Sequence, residues 1–341
     1  MMLHRRFITA SAGLAFAVGL CVLACSGAGN HNTRPEVETQ LQGRLQVPIF
    51  NQDSAYYFVA RQVEFGPRVP NTSTHNQTAQ WLVGTLERFA DTVFVQRARV
   101  RAFDNTILNI QNIIASFQPQ GKSRILLCAH WDTRPFADWD PNPANHFKPI
   151  PGANDGASGV GVLLEIARQL SLHQPNVGVD IVLFDAEDYG KHESLPRTND
   201  DYQTWGLGSQ HWARNLHLPN YRVRFGILLD MVGAPNSTFK FERYSLDFAP
   251  SLNRRVWATA RKLGFANYFL TQQGNYVIDD HYFVNIIANI PTINIIHQET
   301  NDTRHGFFKY WHTMKDDMDQ IDPQTLKAVG QTVLTVVFEE K

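Results

Sequence analysis

Acids and imidazoles recur in this 341-residue sequence at spacings that suit metal-assisted chemistry. His130 and Asp132 stand two apart, so on extended chain they face the same side. The run Gly152-Ala153-Asn154-Asp155-Gly156-Ala157-Ser158-Gly159 sets one acid among small residues, where glycines permit tight turns and close backbone approach. Asp185-Ala186-Glu187-Asp188, Asp230, His297 and Trp311-His312-Thr313 follow. Each alone has an ordinary explanation. A loop histidine is usually solvated, and an acid after a strand often caps a helix, as Asp155 could cap one beginning near Ser158. The glycine-rich run could also suggest a phosphate cradle. It lacks the Lys-Ser/Thr ending of a P-loop and the spacing of a dinucleotide fingerprint. Taken together, mixed imidazole and carboxylate donors favour zinc, whose catalytic sites keep one position open. Adjacent Glu187 and Asp188 cannot easily point the same way. Asp188 is therefore assigned to the metal and Glu187 to proton transfer.

These residues need elements to position them. Apolar spacing predicts helices over 53–65 and 74–89, then a hairpin of strands over 93–101 and 106–117. Short apolar strands are expected at 124–129, 179–184, 223–229 and 291–296. They alternate with helices at 160–172, 208–216, 252–263 and 326–338. That alternation predicts a single α/β domain with a central, mostly parallel mixed sheet and helices on both faces. Ligands in such folds sit beyond the carboxyl ends of the strands, and the polar residues follow the strands.

Composition removes other classes. Lys and Arg total 31 against 32 Asp and Glu, so no basic excess points to a nucleic-acid partner. The 43% hydrophobic content excludes a disordered chain. His4-Arg5-Arg6, an apolar run from Phe7 to Leu23 and then Ala24-Cys25 have the layout of an export signal ending in a bacterial lipobox. The expected organisation is a lipoprotein-type signal over 1–24, a polar tether over 25–45 and a catalytic domain over 46–341. Lipidation of Cys25 would be the only tie to a membrane, facing the periplasm of a bacterial envelope. Cys128 would then have no partner, and it reads as a small buried core residue.

The ordered set His130-x-Asp132, Gly-Ala-Asn-Asp155-Gly-Ala-Ser-Gly, Asp185-Ala-Glu187-Asp188, Gly208-Ser209, Asp230 and His312-Thr313 resembles the M28 zinc metallopeptidases. The resemblance implies a zinc aminopeptidase-like fold. In the aminopeptidases it implies two zinc ions on His130, Asp155, Asp188, Asp230 and His312, with Asp155 bridging and Glu187 activating water. Trp311 before His312, Asp279-Asp280-His281 and the run from Asp230 to Asn236 resemble the glutaminyl-peptide cyclotransferase branch, the glutaminyl cyclases of animal type.

That branch implies one zinc, held by Asp155, Asp188 and His312, and substrates with N-terminal glutamine. Glu187 would shuttle the proton beside an acidic pair of Asp230 and Asp279. Trp311 would line the substrate pocket and Trp205 would supply a second tryptophan. His130 and Asp280 would serve a second metal or a hydrogen-bond network. The sequence departs from the animal cyclases at four places. Asp188 replaces a Glu, Asn294 replaces a His, 189–204 does not align, and Cys128 lacks a partner cysteine. Together these imply a bacterial member of the branch.

Overall fold

The computed structural model describes residues 46–121, 123–299 and 306–341. The signal, the tether and Cys25 lie outside them. Helices α1 (Gln52–Glu64) and α2 (Ser73–Leu86) precede strands β1 (Thr92–Arg101), β2 (Ile107–Phe117) and β3 (Arg124–His130). Next come α3 (Ala157–Leu172), β4 (Gly178–Phe184), α4 (Leu207–Arg214) and β5 (Gly226–Asp230). Then follow β6 (Phe239–Phe241), α5 (Arg243–Phe248), α6 (Pro250–Lys262), β7 (Phe269–Gln273) and α7 (Asp280–Ala288). Strand β8 (Thr292–Ile296) and α8 (Pro323–Glu339) close the chain. All twelve elements expected from apolar spacing are present, with shifted ends. The sequence reading missed β6, α5, β7 and α7. Strand β6 is three residues long and β7 is mostly exposed, so neither carries a readable alternation. Helix α7 had a signal, since Asp279 caps it by accepting the Asp280 amide.

The main sheet has the order β1-β2-β4-β3-β5-β8. β1, β2 and β4 pair antiparallel, while β4, β3, β5 and β8 run parallel. The sheet is therefore mixed, with its parallel strands adjacent. Both faces of β3 are buried, and a period of two divides its side chains between them. Ile125, Leu127 and Ala129 join the core under α1, α3, α6 and α8. Leu126 and Cys128 join Trp212 of α4 and Val284 of α7 on the opposite side. Cys128 is thus the small buried core residue expected. A fully buried leucine on either face contributes roughly 1.5–3 kcal/mol.

The winding of the chain creates the site. From β3 it moves to β4 on one side, then to β5 and β8 on the other. The direction reverses at β3, and a crevice opens beyond the carboxyl ends at such a switch point. Among the described residues, no helix is long and apolar enough to cross a membrane.

Candidate metal centre

Three carboxyl ends and two loops deliver the polar cluster. His130 ends β3, Asp230 ends β5, and Asp185 to Asp188 follow β4 directly. Asp155 comes from the loop that enters α3, and His312 from the loop before α8. Asp155 does not cap α3: Gly156 occupies the cap position without a side-chain bond, and Ser158 Oγ donates to the Asn154 carbonyl. Gly156 is required twice over. Its φ is +90°, and a Cβ there would lie 2.9 Å from the His130 ring. Three non-glycine residues of the site region also adopt positive φ: Ala186 (50°), Met231 (50°) and His312 (54°). Backbone of this kind costs of order 1–3 kcal/mol per residue and persists where surroundings enforce it.

Asp155 stands at the centre. Its Oδ1 lies 3.1 Å from His130 Nε2, and its Oδ2 lies 3.6 Å from His312 Nε2. His312 Nε2 is 3.2 Å from Asp188 Oδ1, and His130 Nε2 is 3.2 Å from Asp230 Oδ1. Two overlapping triads result, Asp155–Asp188–His312 and His130–Asp155–Asp230, each with donor atoms within 4.8 Å of one another. All five residues are buried.

A further set of charges holds these donors in place. Asp132 accepts the amides of Glu187 (3.0 Å) and Asp188 (3.1 Å) and lies 3.4 Å from His130 Nδ1. Asp316 accepts the amides of Asn154 (2.8 Å) and Asp155 (3.0 Å). Arg68 is fully buried and donates to the carbonyls of Trp131, Pro151 and Gly152. Asp138 pairs with Arg134 and lies 3.5 Å from His312 Nδ1. Burial opposes the charge of Asp138, but bonds from Arg134 and His312 hold it well below the usual carboxylate range. Arg134 also donates to the carbonyls of Asp188, Gly190 and Lys191 and lies 4.8 Å over the Trp205 ring. Asp138→Asn keeps an acceptor for Arg134 but removes the charge behind His312. Zinc affinity is expected to fall by about 10- to 100-fold, read by competition with a chromogenic chelator.

The donor set fits a divalent cation. Asp188 Oδ2 is buried without a hydrogen-bond donor. Burial, then the charge of Asp155, pushes Asp188 up to about 6. Burial likewise pushes Asp230 up to about 7, with Asp279 and Asp155 adding to it. Burial opposes the charge of Asp155 too, yet His130 holds that carboxyl below its ordinary range. Acids crowded in this way are relieved by a bound cation. Two carboxylates and one imidazole are a zinc set, with room for a further ligand from the cavity side.

That cavity measures about 290 Å³. Asp155, Asp188 and His312 line it, as do Glu187, Asp230 and Asp279. Trp205, Phe307 and Trp311 wall it. Trp311 stacks on the His312 ring at 3.6 Å between centroids, and Trp205 lies nearly parallel to that ring at 6.1 Å. Gly190 makes room for Trp205, since a Cβ there would sit 2.3 Å from the indole. Asp279 accepts the Asp280 amide with one oxygen and the Asn294 side-chain amide, at 2.6 Å, with the other. Asn294 thus orients Asp279 from the position expected to differ from the animal enzymes. His130 and Asp280 are buried but do not line the cavity. His297 is not brought in. Its Nδ1 accepts the Thr238 amide, and its Nε2 lies 3.2 Å from Glu299. Asp185 turns away to pair with His75 at 2.9 Å.

The profile of peptidase family M28 matches residues 112–337. Aminopeptidase YwaD of Bacillus subtilis is 28% identical over 288 residues, 80% of this chain and 54% of that protein. Glutaminyl-peptide cyclotransferase of Bos taurus is 25% identical over 269 residues, 68% of this chain and 66% of its own length. The chain thus spans between half and two thirds of these two relatives. The crystal structure of Bacteroides thetaiotaomicron glutaminyl cyclase bound to N-acetylhistamine superposes with a TM-score of 0.84 at 52% identity. That match covers 87% of this chain and 100% of the other.

Proposed function

This chain belongs to peptidase family M28, and we propose that within it the protein cyclises N-terminal glutamine of peptides to pyroglutamate, releasing ammonia. The observation that carries the reading is the cavity. It is small, walled by Trp205 and Trp311, and brings Glu187 and the Asp155–Asp188–His312 triad to one space. The 52% identity to a structure described as a glutaminyl cyclase supports the same choice.

One zinc per chain, on Asp155, Asp188 and His312, would polarise the γ-carbonyl of the glutamine side chain. All three members of that triad line the cavity, whereas His130 of the other triad does not. His130 instead bonds Asp155 and Asp230 and ties the two acids together. The α-amine nitrogen attacks the γ-carbonyl carbon, forming the ring C–N bond. Glu187 takes a proton from that nitrogen and gives it to the departing amide nitrogen, which leaves as ammonia. No water is consumed. Trp311 and Trp205 flank the folded side chain and hold it in a reactive shape. Asp230 and Asp279 face the same space and are positioned to hold the α-amine.

The second reading is a two-zinc aminopeptidase, favoured by the intact His130–Asp155–Asp230 triad. A direct test incubates the purified protein with a glutamine-starting and a leucine-starting peptide and reads masses. Cyclisation removes ammonia from the first and leaves the second unchanged. Release of a free amino acid from either peptide sinks the cyclase reading. Metal analysis then gives one zinc per chain or two. Export, with a lipid on Cys25 as the membrane anchor, belongs to the same proposal and rests on residues 4–25 of the sequence.

A further inference from the structure

A second cavity of about 350 Å³ adjoins the catalytic one, and Trp205 and Ile278 line both. Its other wall is the stretch between Lys191 and Tyr202. This wall is built rather than loose. Lys191 Nζ pairs with Asp201 at 2.9 Å, and Asp201 accepts the amide and hydroxyl of Thr198. Arg197 pairs with Glu193 at 2.7 Å. The Glu193 amide donates to Asp138, and Arg134 holds the carbonyls of Gly190 and Lys191. The four charged residues that line the cavity, Lys191, Glu193, Arg197 and Asp201, therefore cancel in pairs. Beside the exposed polar Arg197, Thr198 and Asn199, the wall leaves open two large apolar side chains, Leu195 at 41% and Tyr202 at 37% exposed.

We propose that this second cavity binds the residues that follow the N-terminal residue of a peptide substrate, and that Leu195 and Tyr202 favour an apolar side chain at the second or third position. The identity of the first residue as glutamine rests on the cyclase reading; the subsite itself does not. An N-terminal residue seated between Trp205 and Trp311 has its carbonyl side as the only covalent exit. The shared Trp205–Ile278 wall leads from that seat into the neighbouring cavity. Paired charges repay little for desolvating a charged side chain, whereas exposed leucine and tyrosine gain from covering an apolar one.

The test compares three peptide amides, Gln-Ala-Ala, Gln-Leu-Ala and Gln-Ala-Leu, using the full-length protein and the variants Leu195→Ala and Tyr202→Ala. Mass spectrometry follows both ammonia loss and release of the first residue. At least one leucine peptide is expected to exceed the all-alanine peptide by about fivefold in kcat/KM, below the full effect of a closed apolar pocket. The advantage, taken as a ratio within each protein, should shrink towards one in at least one variant, while an unchanged circular dichroism spectrum and melting temperature report an intact fold. Equal kcat/KM for all three peptides in the unmodified protein overturns the proposal. So does a leucine advantage that survives undiminished in both variants. Release of free glutamine with the leucine advantage intact would refute the cyclase reading and uphold the subsite. Cyclisation without the advantage would do the reverse.

Discussion

Exchanging Glu187 for Gln is expected to lower kcat by roughly 10²- to 10⁴-fold while zinc stays bound, the range for loss of a general acid/base. The exchange keeps the shape of the side chain and removes only its ability to take up a proton. Glu187 lines the cavity without belonging to either metal triad. Its amide is fixed by Asp132, so the backbone has no cause to move. Burial pushes its carboxyl well above the usual range, and the charges of Asp279 and Asp188 add to that. A carboxylate raised in this way is a stronger base, better matched to accepting a proton from an amine near neutral pH. Below its raised pKa Glu187 is protonated and cannot accept that proton, so kcat falls on the acid side. In the Gln variant this acid limb should vanish from the residual rate. Metal analysis and a pH profile of the pair check both parts. Near-normal turnover by a zinc-loaded variant would remove Glu187 from the mechanism.

The second large effect is expected at Asp188. Asp188→Ala should lose zinc on dialysis and lower kcat/KM by roughly 10³-fold or more, equivalent to the several kcal/mol that a Lewis acid supplies. Asp188 offers Oδ1 beside His312 and carries a buried, unbonded Oδ2, so no other buried oxygen in the triad replaces it. Asp188→Glu is expected to recover part of both losses, because a carboxylate returns on a longer arm. Zinc content by mass spectrometry, taken with kcat/KM for each variant, decides the matter. Full zinc content in Asp188→Ala would show that the metal is held by the His130–Asp155–Asp230 set instead.

Much of this arrangement is legible in the sequence because the physics is local. Strands β3, β4, β5 and β8 are buried on both faces and read as largely apolar runs, broken by Asp180 in β4 and Asn294 in β8, with the acids and imidazoles of the site at or beyond their ends. The donors Asp155, Asp188 and His312 stand at such ends or in the loops beyond them. The residues that hold the donors are harder to find. Asp316 acts on the amides of Asn154 and Asp155 across more than 160 positions of chain. Arg68 acts on loop carbonyls that any sequence would supply. Asp138 and Arg134 look like a surface pair four apart until the fold buries both. The reverse error occurs at His297. It follows a strand like the others, but its ring satisfies the Thr238 amide, and position alone gives no sign of that.

Arg134 grips the segment after Asp188 through main-chain carbonyls, at Asp188, Gly190 and Lys191, and touches few of its side chains. Every residue type carries such a carbonyl. The start of this segment is thus held whatever side chains follow it, Gly190 apart, while outward side chains outside its ion pairs can drift. The segment is also the one that the sequence leads one to expect will not align with the animal cyclases. A lineage could therefore exchange residues such as Leu195 and Tyr202, and with them its diet of peptides, without disturbing the chemistry one wall away.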